Sequence, residues 1–126
     1  MDKEAFLEAA KKGDKETVLQ LLDNDKLDVD TGDEHDRTAL MKAAKYGHYE
    51  IVQILIEHGA DINYRDNRGT NALYWASSNG HVDIVKLLLS KQSDVHVLDD
   101  RGWSVKDAAN INRHKDVVSV LEAAGA

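Results

Sequence analysis

Residues 38–63 read TALMKAAKYGHYEIVQILIEHGADIN, and this stretch decides the fold. Apolar residues in its second half have the spacing of one face of an amphipathic helix: Ile51, Val52, Leu55 and Ile56. A shorter helix is predicted before it, with the small side chains of Ala43 and Ala44 on one face. Gly47 lies between the two, where a helix commonly ends in the left-handed conformation. The stretch therefore predicts two antiparallel helices that can approach each other closely.

The same pattern returns along the chain at a shift of 33 residues. The shift aligns three alanines (Ala43, Ala76, Ala109), three histidines (His48, His81, His114) and three leucines (Leu55, Leu88, Leu121). The beginning of the chain joins the series at a shift of 34 residues, which places Gly13 with Gly47. Four units follow, at about residues 1–32, 33–65, 66–98 and 99–126, and we treat residues 1–126 as one domain.

One unit cannot bury its own apolar face, whereas stacked neighbours bury it between them. We therefore predict an all-α solenoid of paired antiparallel helices joined by turns or short hairpin loops. In the last unit Lys106 and Glu122 replace core residues of the earlier units, and Arg113 replaces the turn glycine. Polar residues at core positions are expected where no further unit covers them, so the first and last units are predicted to act as caps.

Two units carry a family resemblance. Residues 33–63 read DEHDRTALMKAAKYGHYEIVQILIEHGADIN, and residues 66–96 read DNRGTNALYWASSNGHVDIVKLLLSKQSDVH. The Gly-His pair, the Ile-Val and Leu-rich second helix and its Gly-Ala-Asp exit are similar to the ankyrin repeat. The Thr-Pro-Leu-His segment of that family is matched only weakly, by Thr38-Ala39-Leu40-Met41 in the second unit. The resemblance covers essentially the whole chain and implies an ankyrin-repeat solenoid of four stacked repeats.

Composition excludes several classes of protein. The 126 residues contain no cysteine, which removes disulfides, thiolate metal sites and cysteine nucleophiles. The formal net charge of -7 argues against nonspecific binding to nucleic acid or to a membrane surface. No apolar run reaches the length of a membrane span, and Met1 is followed by charged residues and not by a signal peptide. We expect an intracellular, cytoplasmic protein, with the nucleus as an alternative.

Most of the negative charge lies in one segment, residues 23–36, which carries a net charge of -6. Its acidic residues are Asp23, Asp25, Asp28, Asp30, Asp33, Glu34 and Asp36, set against Lys26. A calcium-binding EF-hand loop requires a glycine at position 6 and a bidentate glutamate at position 12, and no register of the segment supplies both. We interpret the segment as a solvated loop.

The sequence offers no catalytic constellation. His48, His81 and His114 share one repeat position, and units stacked at helix-packing distance hold them roughly 10 Å apart, too far for a shared metal. The nucleophile elbow of serine hydrolases and the phosphate-binding loop of nucleotide hydrolases are both missing. We expect no enzyme activity, no cofactor and no metal site.

The ankyrin resemblance implies protein–protein recognition through the turn tips and the groove formed by the first helix of each repeat. Positions that vary between repeats are the candidates, because the fold does not dictate them. Basic and aromatic residues gather there, and Tyr, Trp and Arg are enriched at binding hot spots. The candidate contact residues are Lys11, Lys12, Arg37, Lys45, Tyr46, Arg65, Arg68, Trp75, Arg101 and Trp103. Trp75 has a second interpretation as a packing residue between helices, and Trp103 as a packing residue on the last unit.

Two functional hypotheses follow. The first is a monomeric, non-catalytic interaction module or adaptor that binds a protein or peptide of acidic and apolar character. The alternative is an ankyrin domain that binds nucleic acid or a nucleotide through the basic groove. The net charge of -7 counts against the alternative, as do the neutral groove positions of repeats three and four, such as Ser78 and Asn79.

A modification site is also implied by the resemblance. Leu55 lies eight residues before Asn63 in LIEHGADIN, which is similar to the sites that asparaginyl hydroxylases modify on ankyrin repeats. The resemblance therefore makes Asn63 a candidate for hydroxylation.

Overall fold

The structure is a computed structural model that describes residues 2–24 and 26–126. Met1 lies outside the described residues, and so does Asp25, which belongs to the acidic segment. Eight α-helices occur in the part described: α1 Asp2–Lys12, α2 Lys15–Leu22, α3 Ala39–Tyr46, α4 Tyr49–Glu57, α5 Ala72–Ser78, α6 Val82–Ser90, α7 Val105–Ile111 and α8 Lys115–Ala123. Outside the helices, extended pairing is limited, within these ranges, to isolated bridges between Gly32 and Thr38 and between Leu98 and Ser104. The all-helical solenoid predicted from the repeat is confirmed.

The helices form two layers. The first helices of successive pairs (α1, α3, α5 and α7) pack side by side, and the second helices (α2, α4, α6 and α8) pack side by side behind them. Connections of two or three residues join the helices within a pair, so the chain reverses direction there. Longer connections join one pair to the next, and their turns lie next to the N-terminal ends of α3, α5 and α7. This arrangement places the turns and the first helices next to each other along the whole stack.

The tight reversal inside a pair depends on glycine. Gly47 ends α3 with a φ of 81°, in the left-handed region that glycine adopts without a side-chain clash. A histidine follows at each of three such reversals. Its Nε2 donates to a backbone carbonyl near the end of the first helix of the previous pair. These bonds join His48 to Lys11 (2.8 Å), His81 to Lys45 (2.9 Å) and His114 to Ser78 (3.1 Å). The repeated histidine is therefore a structural link between neighbouring helix pairs.

Polar side chains cap the first helices where the family pattern is weakly kept. Thr38, Asn71 and Ser104 are the N-cap residues of α3, α5 and α7, and each accepts a hydrogen bond from the backbone N–H three residues later. In α7 the side chain of Asp107 also accepts the backbone N–H of Ser104, which completes a capping box. Each substitute for the family threonine therefore still supplies an N-cap oxygen.

The core lies between the layers and between successive pairs. Its largest fully buried side chains include Phe6, Leu40, Leu55, Leu73, Ile84, Leu88 and Leu121. At the last pair, Lys106 and Glu122 take positions that are apolar in the earlier pairs, and their side chains approach to 3.6 Å. The two polar replacements therefore form an ion pair with each other on the last helix pair of the sequence. The longest helix of the described residues has 11 residues, and none of these helices has the length and apolar character needed to cross a bilayer.

Candidate functional site

Trp75 is the centre of a cluster of cations on the first helices and turns. It lies on α5 and is 9% exposed. Three cationic groups face its ring: the guanidinium carbon of Arg37 at 5.0 Å from the centroid, Nζ of Lys45 at 5.0 Å and the guanidinium carbon of Arg68 at 5.9 Å. Such distances are typical of cation–π contacts. The indole thus packs and holds cations in place at the same time.

Tyr46 extends the cluster toward the first helix pair. It is the last residue of α3 and is 44% exposed. Nζ of Lys45 lies 5.3 Å from its ring centroid, and Nζ of Lys11 lies 5.8 Å from it. Lys45 therefore contacts both aromatic rings and connects the Trp75 cluster with the end of α1.

A cavity of about 300 Å³ opens at this cluster. Its lining residues are Lys11, Asp33, Glu34, His35, Arg37, Met41, Lys42, Lys45, Tyr46 and Trp75. Five of the ten residues singled out from the sequence line it: Lys11, Arg37, Lys45, Tyr46 and Trp75. Residues from three successive helix pairs thus meet at one place.

Two arginines of the cluster are held by buried carboxylates of the next turn. Nε of Arg37 lies 3.6 Å from Oδ2 of Asp66, and Nη2 of Arg68 lies 3.5 Å from Oδ2 of Asp99. Each aspartate also accepts two backbone N–H groups from its own turn. Each arginine therefore links one turn to the next, and part of its positive charge is neutralised within the protein.

Lys42 is likewise neutralised. Its Nζ donates to Oδ2 of Asp33 at 2.9 Å, and both side chains are largely buried. Burial raises the pKa of Asp33, but the hydrogen bonds from Lys42 and from the backbone N–H groups of Arg37 and His35 outweigh it, so the pKa falls to about 2. Lys11 and Lys45 differ, because no ion pair within 4.0 Å engages either ammonium group in residues 2–24 and 26–126.

The other candidates from the sequence lie apart from the cavity. Lys12 is exposed and forms an ion pair with Glu8 at 3.6 Å. Arg65 donates from Nε to the carbonyl of Gly69 at 3.1 Å and thereby braces its own turn. Arg68 contacts the Trp75 ring without lining the cavity.

Trp103 belongs to a second, separate surface. It is half-buried at the turn before α7, and the guanidinium carbon of Arg101 lies 5.0 Å from its ring centroid. With Asp107, Asn110 and Ile111 it lines an open depression on the last helix pair. The two tryptophans do not share a site.

The sequence did not single out Tyr74 and Asp99, which form a buried polar contact beneath the cluster. Tyr74 donates from its hydroxyl to Oδ2 of Asp99 at 2.7 Å. Burial, followed by this hydrogen bond to a carboxylate, raises the pKa of Tyr74 to about 12. Burial raises the pKa of Asp99 as well, but the bonds from Tyr74 and from backbone N–H groups outweigh it and leave that pKa below its ordinary value. One feature of the sequence could have pointed to this contact: Tyr74 takes the position of the histidine in the Thr-Pro-Leu-His segment of the family pattern.

Asn63 is exposed in the connection between α4 and α5. Its side-chain oxygen accepts the backbone N–H of Asp94, in the equivalent turn of the next repeat, at 2.8 Å. Its own backbone N–H donates to Oδ1 of Asp61 at 2.9 Å. The side chain is accessible, but its oxygen takes part in a contact between repeats.

In the part of the chain that the structure describes, no group of three or more His, Asp or Glu side chains could hold a metal ion.

Comparison with known families agrees with this architecture. A family model described as ankyrin repeats (3 copies) matches residues 6–99 and again residues 63–126, which together span nearly the entire chain. The chain belongs to the ankyrin repeat family. Repeats of this family are in general protein–protein interaction modules and typically non-catalytic. A search of curated proteins gave no significant match.

Proposed function

We propose that the protein is a non-catalytic interaction module or adaptor that binds a protein or peptide through its turn tips and the groove of its first helices. The observation that carries the proposal is the cavity at Trp75, where half-exposed Tyr46 and the unpaired ammonium groups of Lys11 and Lys45 meet. Tyr and Trp are enriched at interfaces, and the unpaired ammonium groups beside them can pair with acidic groups of a partner. The partner is accordingly expected to offer acidic and apolar groups.

Loss of partner capture tests the proposal. The variant Lys11→Gln/Lys45→Gln/Tyr46→Ala removes the unpaired charges and the exposed ring but leaves the Arg68–Asp99 contact in place. A partner identified by cross-linking mass spectrometry in native cells should be lost, while circular dichroism and Tm stay close to those of the wild type. The matched control is Lys86→Gln/Lys115→Gln, which removes two exposed charges from the second helices. Undiminished capture by the groove variant contradicts the proposal.

The alternative function, binding of nucleic acid or a nucleotide, is tested by titration with a single-stranded oligonucleotide at low salt. Binding by phosphate neutralisation weakens steeply as salt rises. We expect no binding, because the neutralised arginines leave few free cations in the groove. Salt-sensitive binding that the groove variant abolishes would establish the alternative instead.

We further propose that the protein acts as a monomer inside the cell, in the cytoplasm or the nucleus, and that Asn63 is open to hydroxylation there. Exposure of the Asn63 side chain supports access by a modifying enzyme. Co-expression with an asparaginyl hydroxylase should raise the intact mass by one oxygen atom, and Asn63→Gln should prevent the increase. An unchanged wild-type mass would rule the modification out.

A further inference from the structure

The cavity at Trp75 gathers like charges, and the protein balances only some of them. Lys45 and Arg37 both face the Trp75 ring, and Lys45 and Lys11 both face the Tyr46 ring. Since the two lysines lack an ion pair in the described part of the chain, an anion between these groups would relieve their mutual repulsion. The two rings keep the ammonium groups in place before any ligand arrives.

The charge of the lining indicates what kind of anion fits. The lining holds Lys or Arg at four positions and a carboxylate at two, but Asp33 offsets Lys42 and the buried Asp66 offsets part of the charge of Arg37. The positive surplus that remains comes from the ammonium groups of Lys11 and Lys45. A partner carboxylate carries one negative charge, whereas a phosphate monoester carries about -1.5 to -2 at pH 7 and three acceptor oxygens, so it can engage both ammonium groups. A cavity of about 300 Å³ also has room for a phosphate group together with the side chain that bears it.

The surplus is confined to one part of the groove. The repeat position of Lys11 and Lys45 is continued by Ser78 in the third helix pair and by Ile111 in the fourth, where the side chain is 62% exposed. A nucleic acid presents phosphates at regular intervals and would leave most of them without a cation here. A peptide with one phosphorylated residue and neutral or apolar neighbours matches this series of side chains.

We propose that the cavity formed by Lys11, Lys45, Arg37, Tyr46 and Trp75 binds a single phosphate monoester on a side chain of the partner peptide. This inference rests on the proposed function and specifies the acidic group of the partner. Lys11 and Lys45 contribute the unpaired ammonium groups. Arg37 contributes a guanidinium group held between the indole ring and Asp66. Ser78 and Ile111 would then face the residues that flank the phosphorylated one.

Capped tripeptides provide the direct test, with phosphoserine, glutamate or serine as the central residue. Binding is followed by ¹⁵N–¹H NMR, using the backbone amides of α1 and α3 and the indole N–H of Trp75, which is assigned by its persistence in Trp103→Phe. The phosphoserine peptide should bind at least about tenfold more tightly than the glutamate peptide, since it offers up to twice the charge and three acceptor oxygens. The serine peptide should not bind measurably.

Variants locate the site. Lys11→Gln/Lys45→Gln should weaken binding of the phosphoserine peptide by about tenfold or more. The control Lys86→Gln/Lys115→Gln carries the same change of net charge and should bind as the wild type does. An equal loss in both variants would mean that binding follows net charge alone, and it would overturn the proposal.

Other ligands separate the remaining sources of phosphate. Inorganic phosphate should bind more weakly than the phosphoserine peptide, and a single-stranded oligonucleotide more weakly still. The proposal is overturned if either binds as tightly as the peptide, or if the glutamate and phosphoserine peptides bind equally. Phosphatase treatment of the cell-derived partner tests the phosphate site separately from the proposed function. Capture that survives the treatment contradicts the phosphate site but agrees with the interaction function. The absence of any captured partner contradicts the interaction function itself.

Discussion

At the scale of single residues, glycine and histidine depend on each other between neighbouring repeats. A Cβ atom on Gly47 would lie 2.7 Å from Cε1 of His81, and the corresponding contact of Gly80 with Nδ1 of His114 is 2.6 Å. Gly47 is therefore required for two reasons: its positive φ and the imidazole ring that packs against it. The sequence predicts the first reason from the end of the helix, whereas the second depends on how closely the next pair stacks.

We predict that Gly47→Ala lowers the free energy of unfolding by about 2–4 kcal/mol, because left-handed strain adds to the displacement of His81. Gly59→Ala separates the two contributions, since Gly59 also has a positive φ of 87° but nothing lies within 4 Å of its added Cβ. That control should cost about 1 kcal/mol. Urea denaturation measures the unfolding free energy of both variants. Equal losses would show that the His81 ring moves away from the added Cβ at no cost in stability.

The hydrogen bond between Tyr74 and Asp99 should also contribute to the free energy of unfolding. Tyr74→Phe removes the hydroxyl that donates to the buried Asp99 carboxylate. We expect a loss of about 1–2 kcal/mol in unfolding free energy, because the carboxylate loses a donor that water cannot replace without entering the core. Tyr64→Phe, at a partly buried tyrosine, serves as the control in thermal unfolding. A Tm of Tyr74→Phe within the range of that control would contradict the prediction.

The roles of the tryptophans and arginines could be predicted only in part from the sequence. The pattern left Trp75 open between packing and contact, and the structure shows a buried ring that also contacts cations. It counted Arg37 and Arg68 as available charges, although both approach buried aspartates of the following turn. Repeat spacing places such residues at equivalent positions, but it does not determine which side chains in adjacent turns point toward each other.

At the scale of helices, pairing follows from short connections and small residues. Ala43 and Ala76 are fully buried where the first helices pack together. All first helices after α1 begin at a polar cap, even though the residue type changes from Thr38 to Asn71 to Ser104. The helix pairs could be predicted from the sequence because periodicity, glycine and cap act locally and agree with one another.

The N-cap of α7 at Ser104 should contribute measurably to stability. Ser104→Ala removes the oxygen that accepts the N–H of Asp107 and breaks the capping box, which should cost about 1 kcal/mol of unfolding free energy. Ser119→Ala makes the same chemical change on the exposed side of α8 and should stay within about 0.5 kcal/mol of the wild type. Chemical denaturation followed by circular dichroism compares them. Indistinguishable variants would mean that α7 begins correctly without its cap.

At the scale of the whole molecule, the negative charge and the cationic groups of the cavity are unevenly distributed. The segment 23–36 accounts for most of the net charge of -7, while the cavity at Trp75 carries a positive surplus. Asp33 belongs to both, since it lies in the acidic segment and binds Lys42 at the cavity. The sequence predicted the uneven charge correctly as arithmetic, but the neutralisation of Lys42 required the turn to bring residues 33 and 42 together.

Acid should destabilise the molecule partly through Asp33. Its folded pKa of about 2 lies below the ordinary value of 3.8, so its ionised form stabilises the fold above about pH 4, and this contribution disappears as the pH falls toward 2. Asp33→Asn should lower the unfolding free energy at pH 7 by about 1–2 kcal/mol and flatten its decline between pH 4 and pH 2. Glu57→Gln, an exposed carboxylate, should retain the wild-type slope. An unchanged slope in Asp33→Asn would contradict the assignment.

For the ligand proposed above, the series Lys11, Lys45, Ser78 and Ile111 would also set the position of binding along the stack. A solenoid of identical repeats would offer equivalent binding positions one repeat apart, and a bound peptide could shift from one to the next. Here each step along the stack changes the chemistry, from two ammonium groups to a hydroxyl to an aliphatic side chain. A ligand displaced by one repeat would set its charge against Ser78 and its apolar group beyond Ile111. The departures from perfect repetition therefore define a single register on a scaffold whose backbone would otherwise allow several.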